Sequence, residues 1–140
     1  MDIAQDVHSH LTELTAPECW DLARDSQFGR VAWSTASGPS VLPVNLGFGD
    51  GAIWIRTSPY SALARQCSGQ RVAIELDNID VTTRSGWSVV IVGTAELVDS
   101  DEVPVALRPL NVWPSGTKNV HLRIEPVEVT GRRLLAVQPG

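Results

Sequence analysis

Lysine is almost missing from this chain: Lys118 stands alone beside ten arginines. With so little lysine, a net charge of -5 and a pI near 5.0, the broad basic surface that holds nucleic acid through its phosphates is excluded. Cysteine is nearly as scarce. Cys19 and Cys67 lie far apart with no ligand-like spacing, so they read as buried thiols of a reducing compartment, with no disulfide needed. Long apolar runs are absent too. Val89-Val90-Ile91-Val92 is as long as any, against the ~20 residues that span a bilayer, so no membrane span is expected. Residues 1–14 carry acids and histidines where a secretory signal would carry a basic and then an apolar stretch, which points to the cytoplasm.

What is present suits one globular domain covering 1–140, with 1–14 as a lead-in. The chain has 140 residues, 43% of them hydrophobic and 19% charged, enough to bury one core. Thr15-Ala16-Pro17-Glu18 forms a capping box with proline in the first turn, predicting a short helix to about Ser26 with Cys19, Trp20 and Ala23 inward. Strands follow at 30–34, 41–46 and 52–56, separated by Ala36-Ser37-Gly38-Pro39 and Gly49-Asp50-Gly51 turns. Pro43 cannot donate to a ladder, so it belongs on an edge or at a bulge, where free backbone groups are available to a ligand.

Ser58 as N-cap, Pro59 behind it and Gly69 at the end predict a second short helix. Strands at 71–76 and 87–98, joined by a polar stretch, come next. A helical turn between prolines is expected in 101–110. In 119–129, Val120, Leu122 and Ile124 alternate with His121, Arg123 and Glu125, the pattern of a half-buried strand with His121 on its solvent side. Six antiparallel strands with a few short helices predict a mainly β fold, a barrel whose closure removes exposed edges.

The stretch Arg56-Thr57-Ser58-Pro59-Tyr60-Ser61 brings a guanidinium and hydroxyls to the junction of a strand and a helix. It reads either as an anion site or as a plain helix cap. The surplus of arginine, suited to planar anion contacts, is compatible with a bound phosphate. Asp6, His8 and His10 could chelate a metal, but they have no second ligand cluster and read as a mobile terminus. Asp77, Asp80 and Arg84 form a polar loop that either lines a cleft or is simply solvated.

Four stretches, taken in order, carry a family resemblance: Val41-Leu42-Pro43-Val44-Asn45, Ile53-Trp54-Ile55-Arg56-Thr57, Arg71-Val72-Ala73-Ile74-Glu75-Leu76-Asp77, and Gly86-Trp87-Ser88-Val89-Val90-Ile91-Val92-Gly93-Thr94-Ala95. Together they resemble the pyridoxamine 5'-phosphate oxidase-like family of flavin-binding split barrels. The resemblance implies a six-stranded antiparallel split β-barrel of Greek-key type and a homodimer with FMN in the groove between subunits. It places Pro43, Val44 and Asn45 beside the flavin ring and Arg56 and Thr57 at the phosphate. Ser58, Ser61, Ala62 and Leu63 continue the phosphate segment. Trp87 and Ser88 fall where a neighbouring subunit reaches the flavin, although Trp87 reads equally well as a barrel-core aromatic.

One departure stands out. Where the family commonly has Gly-Ser-Lys-Leu, this chain has Tyr60-Ser61-Ala62-Leu63, without a lysine contact worth roughly 1.5–3 kcal/mol. Arg65, one helical turn on, replaces it only if its side chain folds back. The expected function is an FMN-dependent oxidoreductase acting on a small molecule, with no side chain demanding an acid or base role. Pyridoxamine 5'-phosphate itself is not favoured as substrate, because the ending from Arg132 to Gly140 lacks the family's Arg- and His-bearing substrate segment. The rivals are the same barrel holding a deazaflavin or haem, and a flavin-binding protein without turnover.

Overall fold

A computed structural model describes residues 9–107 and 120–136. In chain order these form β1 (Ser9–Glu13), α1 (Ala16–Arg24), β2 (Phe28–Thr35), β3 (Gly38–Asn45), β4 (Gly47–Gly49), β5 (Ala52–Thr57), α2 (Ala62–Gln66), β6 (Arg71–Asp80) and β7 (Ser85–Val98). Two 3-10 turns, Ser100–Glu102 and Val105–Leu107, then precede β8 (Val120–Ala136). The strands make one antiparallel sheet in the order β3-β2-β6-β7-β8-β5-β4, with β1 on the far part of β8. Eight strands appear where six were expected. The two additions are β4, three residues long, and β1, which lies in the segment read as a lead-in and gains its ladder from β8.

The two edges of the sheet, β3 and β4, are consecutive in the chain and joined through Leu46 alone. The sheet therefore curls until its edges meet, but covalent continuity rather than a hydrogen-bonded ladder closes it. This is the split of the barrel. Pro43 sits on the edge strand β3, opposite Arg30 of β2, the kind of position where a residue without an N–H is tolerated. The long β8 serves three partners: it pairs with β5 through residues 120–124, with β1 through 132–136, and with β7 nearly throughout. Between these zones the β7 register shifts at Val92/Gly93, opposite the stretch that holds Pro126, and the strand turns from one partner to another.

Two apolar clusters hold the sheet. The larger fills the barrel with Val31, Ile53, Ile55, Leu63, Ile74, Leu76, Ile91, Leu122 and Ile124 among others, all at or near zero exposure. Helix α1 starts at the expected capping box: the Glu18 N–H donates to Thr15 Oγ1 at 3.3 Å, and the Thr15 N–H to Glu18 Oε1 at 2.9 Å. It buries Cys19 and Ala23, with Trp20 half-buried. Cys19 Sγ lies where a Cβ on Gly131 would come within 2.6 Å, so glycine there lets the helix approach β8. Both thiols are free and buried, and burial raises the Cys67 pKa to about 11. The smaller cluster, Ala52, Trp54, Val98 and Val103 with Leu107, lies on the other face of β5 under the 3-10 turns.

Three boundaries differ from the sequence reading. The cap of α2 is Ser61, not Ser58: the Ser58 hydroxyl accepts from the Tyr60 N–H and its carbonyl from the Ser61 N–H. A turn therefore comes first, and the helix begins only where Ser61 Oγ accepts from the Ala64 N–H. The polar stretch after Leu76 is mostly hairpin, because β6 and β7 continue to Asp80 and Ser85. Asp80 Oδ1 tightens the turn by accepting from the N–H groups of Thr82 and Thr83. Finally, β8 runs on to Ala136. No helix among the described residues is long and apolar enough to cross a membrane.

Candidate functional site

A cavity of about 500 Å³ opens at the split where the ladder between β3 and β4 is interrupted. That size suits a small-molecule site. One wall is the β3 edge from Leu42 through Asn45. The other is the outer face of β5 and β8, with Trp54, Arg56 and His121, roofed by Ala106 and Leu107 of the second 3-10 turn. The elements explain the placement: β5 is apolar on both faces, sending Ile53 and Ile55 into the barrel and Trp54 outward. Trp54 is fixed there by its indole N–H donating to the Gly49 carbonyl at 2.8 Å. Gly47 lets the roof settle, since a Cβ there would lie 3.1 Å from the Leu107 methyls.

Of the residues singled out from sequence, Pro43, Val44, Asn45, Arg56, Thr57 and Leu63 line this cavity together. Ser61 stands just behind: Thr57 Oγ1 donates to Ser61 Oγ at 2.6 Å, which aligns the Thr57 hydroxyl at the wall. Ser58, Ala62, Trp87 and Ser88 are not among the lining residues. Trp87 is half-buried and packs against the barrel core. Arg65 is not among the lining residues either.

His121 was misread. Alternation put it on the solvent side of the last strand, yet it is 3% exposed and lines the cavity. The segment after β7 brings Ala106 and Leu107 to the cavity that His121 lines, while Arg123 and Glu125 farther along the same face keep contact with water. A signal was present in the sequence: Ala52-Ile53-Trp54-Ile55 is apolar on both faces, so something had to cover each side of β5 and its neighbour. His121 stands directly opposite Arg56 in the β5–β8 ladder and opposite Val98 in the β7–β8 ladder. Its Nδ1 is buried with no hydrogen-bond partner. Burial first, and the Arg56 guanidinium second, hold its pKa below the usual value, favouring the neutral ring.

Three of the described arginines, Arg24, Arg30 and Arg123, are engaged in packing or ion pairs away from the cavity. Arg123 lies 5.7 Å over the Trp54 ring and pairs with Glu125, Arg24 lies 5.9 Å over Trp20, and Arg30 bonds Glu75 at 3.0 Å and Asp77 at 3.2 Å. Asp77 is thus tied to β2, and Asp80 closes a hairpin; neither lines the cavity. A second cavity of about 370 Å³, between α1 and the β4–β5 turn, contains no orphaned polar atom. Among the described residues no group of His, Cys, Asp and Glu could hold a metal; Asp6 and His8 lie outside them.

A family model for pyridoxamine 5'-phosphate oxidase matches residues 15–133. An uncharacterized protein of Mycobacterium tuberculosis, Rv0080, is 35% identical over 132 residues, covering 90% of this chain and 87% of that one. Among solved structures, an FAD-binding protein from Mycobacterium smegmatis superposes with a TM-score of 0.68 at 27% identity, covering 89% of this chain and 98% of the other. An FAD-binding protein from Mesorhizobium loti, at 22% identity and TM-score 0.68, shares the fold over 88% of this chain and 97% of its own.

Proposed function

The chain belongs to the pyridoxamine 5'-phosphate oxidase family, and from that premise we propose that it is a cytoplasmic flavin-dependent oxidoreductase that holds FMN at the barrel split and acts on a small molecule as a homodimer. The observation that carries this reading is the cavity itself. It joins Pro43, Val44 and Asn45 to Arg56 and Thr57, two stretches distant in sequence, and faces them across a space of ligand size. The donor set fits a phosphorylated ring. The Arg56 guanidinium suits an anion, and the β3 edge presents apolar side chains and unladdered backbone to a planar group. A bound flavin supplies the redox chemistry; the protein's part is to anchor, orient and shield it. The dimer is supported by the prevalence of two-fold assembly and by the need of so small a barrel for further walls around a flavin.

FAD in place of FMN is the second reading, favoured by the M. smegmatis relative described as binding it. Titration of the purified protein with FMN, FAD and riboflavin, followed by flavin fluorescence, separates the two. FMN is expected to bind more tightly than riboflavin by roughly tenfold or more, because only FMN brings a charge to Arg56. FAD binding above FMN would shift the reading to FAD. Absence of any flavin binding at millimolar concentration would overturn it, and a sedimentation mass of one chain with flavin bound would remove the dimer.

A further inference from the structure

His121 has no role in the flavin reading inherited from the family pattern, yet it is the one buried polar side chain among the described residues. It lines the cavity, stands opposite Arg56, and carries a ring nitrogen for which the chain provides no partner. Directly paired positions in an antiparallel ladder bring side chains to about 4.5–5.5 Å at Cβ, so whatever anion meets Arg56 lies within electrostatic reach of the imidazole. We propose that His121 and Arg56 form one anion subsite, in which the imidazole takes up a proton from solvent when a phosphate group enters and becomes the second cation that Ala62 does not supply.

The chemistry is a simple linkage. Arg56 is always charged, and a second cation opposite it in a dry wall is repelled, so the ring stays neutral while the subsite holds no anion. A phosphate reverses the sign of the local field and favours imidazolium. The named neighbours agree with this balance. β5 contributes Arg56, β7 contributes Val98, α2 contributes Leu63, the roof contributes Ala106 and Leu107, and no carboxylate among the described residues lines the cavity to hold the proton instead. A histidine fits such a switch, because its ordinary pKa lies close enough to neutrality for one neighbouring charge to move it across.

The inference rests on the flavin reading for its natural ligand, and the test keeps the two apart. FMN and riboflavin affinities are measured from pH 8 to pH 6 on the wild type and on His121→Gln. Calorimetry in two buffers of different ionisation enthalpy counts the protons taken up. FMN affinity of the wild type should rise over this range by about three- to tenfold relative to the variant, with proton uptake, while riboflavin shows neither. The variant subtracts the titration of the phosphate itself, and the riboflavin comparison needs no substitution should His121→Gln fail to fold. An equal pH slope for FMN in wild type and variant, or for FMN and riboflavin in the wild type, overturns the subsite. Inorganic phosphate, read by thermal shift, is the independent probe. If stabilisation by phosphate strengthens toward pH 6 only in the wild type while no flavin binds, the subsite stands and the flavin reading falls. If flavins bind without a His121-dependent slope, the flavin reading stands and the subsite falls. If none of the probes binds, both fall.

Discussion

The two faces of the β5–β8 pair share one backbone ladder and differ in nearly everything else. On the inner face Ile53, Ile55, Leu122 and Ile124 are buried at 0–1% exposure in a continuous apolar core. On the outer face, at the alternate positions, stand Trp54, Arg56, His121 and Arg123: the exposed Arg56 and the buried His121 line the cavity with Trp54, and Arg123 stacks on Trp54. The inner face gains its stability from packing that tolerates no gap. The outer face retains an unsatisfied ring nitrogen, which costs free energy in the absence of a ligand. One strand pair thus carries the fold on one side and the site on the other, and substitutions should sort by face.

The largest effect belongs to the inner face. Ile124→Ala leaves a hole among fully buried neighbours and should lower unfolding free energy by about 2–5 kcal/mol, read by denaturant melts. At temperatures where the variant is folded, its preference for FMN over riboflavin should match the wild type. A changed preference would mean that the two faces are not separable. Next comes the outer face. Arg56→Ala, at an exposed strand end, should leave the melt nearly unchanged but weaken FMN about 10- to 100-fold, with riboflavin almost indifferent. Equal loss for both ligands would place Arg56 away from the phosphate and break the assignment of chemistry to this face.

This division also explains what could be read from the amino-acid sequence. Alternation identifies the inner residues of β8, because burial against a core enforces the period of two. The capping box of α1 is local, involves four residues, and forms as read. The Arg56-Thr57 and Pro43-Val44-Asn45 segments were singled out through the ordered family motifs, and the structure gathers both at one cavity. His121 was not visible, because the same alternation that identifies Leu122 assumes water on the other side. Here the chain returns after Val98 to roof that side with Val103 and Leu107. The cap of α2 was missed by three residues, because Ser58 and Ser61 are equally good caps locally and only the turn between them decides.

The smallest effect concerns the position where the family's usual lysine is missing. Ala62 opens α2 and is half-buried beside Ser61, but it is not among the residues lining the cavity. A lysine placed there must bend its flexible stem around the Thr57–Ser61 hydrogen bond to reach the wall, which costs rotamer freedom and leaves its ammonium partly in water. Ala62→Lys should therefore tighten FMN by only about two- to fivefold, corresponding to the ~0.5–1 kcal/mol of a partly solvated ion pair, and should leave riboflavin unchanged. Because the new cation would compete with His121 for the same phosphate charge, the gain should be smaller at pH 6 than at pH 8. A gain of a hundredfold independent of pH would show that the phosphate sits at the start of α2 rather than between Arg56 and His121, and would transfer the site from the outer face of the strand pair to the helix.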